Sequence, residues 1–172
     1  MSPDFSSAPP RRLCILRLSA LGDVCHVLPV VRTLQDAWPG TEITWIIGKL
    51  EHKLLGHLPG IEFVVFDKKA GRAAYGDLRR RMSGRRYDVL LHMQLALRAS
   101  LAAALVPADL KVGFDRARAR ELQWIFTNAR VAPREREHVL DSLFGFTEAL
   151  GLRGRSMRWD IPLPEPALDY AR

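Results

Sequence analysis

What this 172-residue chain lacks narrows its identity quickly. It has two cysteines, Cys14 and Cys25, too few for a disulfide framework or a zinc site, and their places in a strand and a helix pattern fit a reduced, cytosolic setting. No apolar run approaches the ~20 residues needed to cross a bilayer. Neither G-x-G-x-x-G nor G-x-x-x-x-G-K-[ST] occurs, so the two common phosphate-cradling turns are missing. His26 has no second His or Cys at ligand spacing, which argues against a metal site there. RNP, KH and helix-turn-helix patterns are absent as well. Residues 1–10 are polar and rich in Pro and Ser, without an apolar h-region, and read as a disordered tail with no signal peptide.

Positive charge is present in excess. Twenty-six Lys and Arg outweigh 19 acids, for a net charge of +7. Such a surplus suits an anionic partner, whether nucleic acid, a phosphorylated lipid surface or an acidic sugar; the plainer reading is solubility. The length fits one domain with room for a real core.

Apolar, β-branched runs recur at 13–18, 43–47, 61–66, 89–92 and 111–114. Helical patterns separate them, at 24–38, 49–58, 75–81, 98–106, 121–127 and 138–150. In the first of these, Val27, Leu28, Val31, Leu34 and Ala37 recur at spacings of three and four, and Trp38-Pro39-Gly40 stops it. Alternation of this kind predicts an α/β fold: a Rossmann-like, doubly wound parallel sheet with helices on both faces. Its ligand belongs outside the carboxyl ends of the strands, where the strand order reverses. Residues 1–11 form the tail, 12–155 the domain, and 156–172, with Pro162, Pro164 and Pro166, a linker leading away from it.

An acid stands where the first strand hands over to the first helix, in Ser19-Ala20-Leu21-Gly22-Asp23. It would repel a phosphate while being stabilised by the helix dipole. Read locally, Asp23 is an N-cap accepting an amide two or three residues on. His26 follows by three residues and shares its face, a spacing that suits proton transfer or a structural hydrogen bond. Loops after parallel strands emerge on one edge, so Lys68, Lys69, Arg72, Arg98 and Arg116 should ring Asp23. Such a rim suits capture of acidic groups. The arginines of residues 79–86 read as a solvated helix face.

The stretch "RLSALGDVCHVLPVV" resembles the N-terminal signature of the lipopolysaccharide heptosyltransferases, glycosyltransferase family nine. The likeness continues through "YDVLLHMQLALRAS", "VGFDRARARE", "EHVLDSLFGF" and "RWDIPLPEP". The resemblance implies the N-terminal, acceptor-binding half of a two-domain GT-B enzyme. That enzyme would move heptose from ADP-heptose to the Kdo or heptose inner core, inverting the anomeric centre without a metal or other cofactor. Asp23 then takes the proton of the acceptor hydroxyl, a role compatible with capping. The acceptor would meet Ser19, Gly22, His26, Lys68, Lys69, Arg72, Gln94, Arg98, Arg120 and His138, although Leu95 stands where the family usually has Gly. Implied partners are an acidic glycolipid acceptor, a C-terminal donor-binding domain and a peripheral contact with the inner membrane from the cytoplasm, with no nucleic acid.

Family members run to about twice this length. The expectation for the isolated chain is therefore acceptor binding without sugar transfer. Two other readings compete with it: a stand-alone module for a polyanion, and a family-nine transferase with a different donor or acceptor.

Overall fold

A computed structural model describes residues 5, 7–119, 121–134 and 138–163. Six parallel strands form one sheet in the order β3-β2-β1-β4-β5-β6. They are β1 (Arg12–Leu16), β2 (Glu42–Gly48), β3 (Ile61–Phe66), β4 (Tyr87–His92), β5 (Ala108–Gly113) and β6 (Ala129–Arg130). The helices are α1 (Leu21–Ala37), α2 (Lys49–Leu55), α3 (Arg72–Met82), α4 (Leu97–Ala104) and α5 (Val139–Ala149). The chain builds outward from β1 to β3, then returns to β4 on the other side of β1. The gap between β1 and β4 is thus the reversal point.

Strand alternation divides the core in two. Leu13 and Ile15 point to the face covered by α1 and α5, where they meet Val27, Val31, Leu143 and Phe144. Cys14 and Leu16 point to the other face, against Leu78 of α3 and Ala99 and Ala103 of α4. β1 is therefore buried on both sides, which is why it reads as an unbroken apolar run. Burial pushes the Cys14 thiol far above its ordinary pKa and makes it a core residue.

Several boundaries differ from the sequence expectation. α1 begins at Leu21, three residues early, and its N-cap is Ala20, so no capping side chain marked the start. α3 runs from Arg72 and not from 75. Of the helix expected at 121–127 only a 3-10 turn, Gln123–Ile125, forms, because Glu121 and Leu122 both adopt positive φ and break any longer helix. β5 starts at Ala108, ahead of the expected 111. β6, two residues long, went unrecognised.

Described residues near each end make contacts that the sequence did not announce. Phe5 packs edge-on against Trp38 and donates its backbone N–H to Leu150 O, so the expected tail is docked at that point. The segment after α5 runs back along α1. Arg32 pairs with Asp160, Arg158 with Asp36, and Ser156 N donates to Thr33 Oγ1 at 2.8 Å. Trp159 Nε1 donates to Cys25 O at 3.1 Å. That carbonyl is the one Pro29, four residues on, cannot serve, since proline has no N–H. The indole supplies the donor the helix lacks.

Candidate acceptor-side site at the reversal point

β1 ends at Leu16, and the next residues are stitched to the ends of the neighbouring strands. Arg17 N donates to Ile46 O, Gly48 N to Leu18 O and Met93 N to Leu16 O. Gln94, just beyond β4, accepts from Leu18 N at 2.7 Å and reaches Ser19 Oγ at 3.3 Å. Gln123, fully buried, donates to the carbonyls of His92 and Gln94 and accepts from Phe114 N. One amide side chain thereby locks the ends of β4 and β5 together. Gly48 is required sterically: an added Cβ would lie 2.3 Å from both Leu18 O and Glu51 Oε2.

Asp23 stands at this edge as the third residue of α1, and this corrects the N-cap reading. Its Oδ2 accepts from the cap residue's own amide, Ala20 N, at 3.3 Å, the acidic half of a capping box whose other half alanine cannot provide. The stronger partner is Arg17. Its Nη2 lies 2.6 Å from Asp23 Oδ2, while Nε donates to Ser19 O at 2.9 Å and Nη1 to Met93 O at 2.5 Å. The arginine side chain is 14% exposed and the aspartate 42%. A mostly buried guanidinium thus aims a carboxylate that remains open to solvent. Among the described residues Oδ1 has no hydrogen-bond partner, so it is the oxygen available to a proton.

His26 lies one turn further along α1, with Nδ1 buried and, among the described residues, without a partner. Its ring meets that of His138 edge-on at 6.1 Å. His138 is the N-cap of α5, with Nδ1 accepting from Leu140 N. These two expected site residues are brought together, His26 three residues beyond Asp23 on α1. Ser19 and Gly22 flank Asp23 in the same turn and first helical turn.

The basic residues divide into groups. Lys68 and Lys69 follow β3 and, with Lys49, Lys53, Leu50 and Asp67, line a cavity of about 380 Å³. The Lys69 amide, then the Lys49 ammonium, hold the Asp67 carboxyl below its ordinary pKa. Lys68 Nζ is 4.0 Å from Glu51 Oε1, whose partner oxygen is buried and unpaired. Arg72 is exposed at the start of α3, Arg98 in the first turn of α4, and Arg116 after β5 stacks over Trp124 at 5.9 Å. All of them follow carboxyl strand ends, so they share Asp23's edge. Four strand spacings separate β3 from β5, about 19 Å, which makes this rim a shallow arc and not a tight pocket. Arg120 lies outside the described residues. Arg17, Lys49, Lys53, Glu51 and Gln123 were not among the expected site residues; only the basic pair at the end of β2 had a readable signal, a strand running into Lys49.

Among the described residues no three His, Cys, Asp or Glu side chains gather closely enough to hold a metal ion, and no helix is long and apolar enough to cross a membrane.

A doubly wound parallel sheet, with a carboxylate in place of a glycine-rich phosphate turn at its reversal point, has the form of one Rossmann-like half of a GT-B glycosyltransferase. A profile of glycosyltransferase family 9 (heptosyltransferase) matches residues 75–172, and the chain belongs to that family. It is 41% identical over 169 residues to the lipopolysaccharide core heptosyltransferase OpsX of Haemophilus influenzae, spanning 98% of this chain and 48% of that protein. Lipopolysaccharide heptosyltransferase 1 of Salmonella typhimurium is 24% identical, over 93% of this chain and 51% of its own length. The fold matches that of the Escherichia coli heptosyltransferase WaaC with ADP-2-deoxy-2-fluoro heptose at a TM-score of 0.73 and 24% identity, over 87% of this chain and 51% of WaaC. A family 9 glycosyltransferase from Veillonella parvula matches at a TM-score of 0.75 and 23% identity, over 99% of this chain and 49% of that one. The chain thus spans about half the length of the relatives it matches.

Proposed function

We propose that this chain is the acceptor-side half of an ADP-heptose:lipopolysaccharide core heptosyltransferase, and that Asp23 is its general base. The observation that carries the reading is the Arg17–Asp23 pair at the reversal point. An acceptor hydroxyl placed at Asp23 Oδ1 gives up its proton as its oxygen bonds to the anomeric carbon, and ADP leaves from the opposite side. The configuration inverts, and no metal or other cofactor enters the step. The donor's ADP belongs to the other half, since neither glycine-rich phosphate-binding motif occurs in this sequence.

The acceptor in this reading is an acidic glycolipid, with Kdo or heptosylated core presented to Lys68, Lys69, Arg72, Arg98 and Arg120 and to the His26–His138 pair. Cytoplasmic location with peripheral contact at the inner membrane follows from such a substrate. A stand-alone polyanion-binding module would not explain an arginine-aimed carboxylate at the reversal point.

The test joins this half to a donor-binding half and follows heptose transfer from ADP-heptose to a Kdo-containing acceptor. General-base help is worth ~10²–10⁴-fold in rate, so Asp23→Asn should lose that much from kcat. Near-normal turnover in that variant would reduce Asp23 to a helix-start residue.

A further inference from the structure

α4 packs on the sheet through Ala99, Ala102 and Ala103, which leaves its other face to solvent. On that face Leu97 and Leu101 are exposed, Leu101 by 44%, with Ala104 next in the row. A helix surface in a soluble chain ordinarily carries polar side chains at these positions. Beside the stripe runs the 121–125 segment. Glu121 takes the Leu97 amide at one end of α4, and Ile125 shares a surface hollow with Ala104 at the other. That segment also turns its large apolar side chains outward, with Trp124 41% and Ile125 55% exposed and Leu122 exposed with them. Five large apolar residues from two adjacent elements thus form one patch, larger than scattered surface leucines explain.

The border of the patch is cationic. Arg98 is exposed beside the leucine stripe, and Arg116 stacks on Trp124. α3 covers the same sheet face as α4 and is joined to it by the bond from Tyr75 Oη to Arg98 O. It carries Arg72, Arg79, Arg80 and Arg81 outward. Acids on this side are already engaged: Asp77 pairs with Arg80 and Arg81, Glu62 with Arg85 and Asp109 with Arg86, and Glu121 accepts from the Leu97 amide.

We propose that the α4 and 121–125 surface seats the protein on an anionic lipid bilayer. Leu97, Leu101, Trp124 and Ile125 enter the headgroup boundary, and Arg116, with Arg79, Arg80 and Arg81 of α3, meets lipid phosphates. A tryptophan with a stacked arginine has an apolar body and a charged tip, the chemistry of that boundary. Charge complementarity selects this occupant over a neutral apolar partner: the chain carries +7 overall, and each basic side chain near an anionic leaflet strengthens attachment about fivefold. The surface deepens the peripheral contact in the proposed function, but the test reads lipid binding alone, so its failure would leave the transfer reading standing.

The experiment is co-sedimentation of the 172-residue chain with vesicles of phosphatidylcholine, and with vesicles of an equal mixture of phosphatidylcholine and phosphatidylglycerol. Binding to the anionic vesicles only, weakened about tenfold or more in Leu101→Glu/Ile125→Glu, is expected. Both replaced side chains are exposed, and an unchanged melting temperature certifies the fold. The tryptophan emission of the wild type should shift to the blue on binding, and Trp124→Phe should lose that shift. Equal binding to neutral vesicles, no binding, or a variant that binds as well as the wild type would overturn the proposal. So would a wild-type dimer that Leu101→Glu/Ile125→Glu renders monomeric, since the patch would then belong to a second copy.

Discussion

Arg17 Nη2 lies 2.6 Å from Asp23 Oδ2, and the same guanidinium is fixed by the carbonyls of Ser19 and Met93. The arginine leaves the end of β1, the carboxylate belongs to the first turn of α1, and Met93 follows β4. One side chain thus ties the three segments that meet at the reversal point. An ion pair open to water contributes little to stability, typically 0–1 kcal/mol. Its consequence here is orientation, with one carboxylate oxygen occupied and the other left open.

Arg17 is therefore expected to be a positioning residue. In the enzyme assembled with its donor half, Arg17→Ala should lower kcat on the order of 10²-fold, the effect of misplacing a reacting group by about 1 Å, with KM for the acceptor little changed. Arg17→Lys keeps the charge but can reach fewer partners, and should recover only part of the loss. If KM rose and kcat held, Arg17 would be binding the acceptor and not aiming Asp23.

The two lysines after β3 should separate in their effects. Lys69 has an exposed side chain, and only its backbone is used, by Asp67. Lys69→Ala should weaken binding of a Kdo-containing acceptor about tenfold at low salt, with no change in stability. The loss should shrink as salt shortens the Debye length to ~8 Å. Lys68 faces the buried Glu51 at 4.0 Å. Removing it leaves that carboxylate with no ion-pair partner among the described residues, so Lys68→Ala should also cost about 1 kcal/mol or more of folding stability. Denaturant titration of both variants checks this, and equal stability would show that Glu51 does not depend on Lys68.

The layout of the sheet was legible because its inner strands are buried on both faces. Leu13, Ile15, Trp45, Leu90 and Leu91 leave apolar runs that no surface strand needs. The edge of the site was less legible. Helix α1 starts without a capping side chain, so Ala20 carries no signal, and Asp23, a favoured cap residue type, reads as the cap although it is the third helical residue. Arg17 reads as an ordinary basic residue at a strand end, because its three partners lie at sequence separations from 2 to 76. Gln123 was hidden inside a segment whose pattern looked helical, and positive φ at Glu121 and Leu122 had no glycine to announce it. The contacts of residues 156–160 with α1 were not legible, because their anchors are single side chains, Trp159 and Asp160, and carry no periodicity.

Trp159 and Pro29 should be energetically coupled. Trp159→Phe keeps the ring and removes the donor to Cys25 O, at an expected cost of about 1 kcal/mol. With Pro29→Ala the helix regains the amide that reaches the same carbonyl, so Trp159→Phe should cost less in that background. A double-mutant cycle followed by urea unfolding reads the difference directly. Additive costs would show that the indole contributes by packing alone. The coupling matters beyond stability, since the segment is held against the helix whose first turn carries Asp23.

His92, the last residue of β4, should contribute to the loss of stability in acid. Its ring is buried, with Nε2 3.0 Å from Ser100 Oγ and no partner for Nδ1. Burial first, and then the charge of Lys111, lower its pKa from 6.5 to about 3. The folded state thus resists a proton that the unfolded chain accepts once the pH falls below 6.5. Above that value His92 exacts no cost. Between 6.5 and about 3 the unfolded state binds more protons, and this single group should remove up to ~1.4 kcal/mol of stability per pH unit. His92→Gln retains a partner for Ser100 and cannot be protonated. Its stability should therefore fall less steeply than that of the wild type from pH 6.5 downward, before the carboxylates of Asp36, Asp67 and Asp115 begin to titrate. Urea unfolding of both proteins at pH 7, 6 and 5 measures the two slopes, and parallel slopes would show that His92 takes up its proton without leaving the fold.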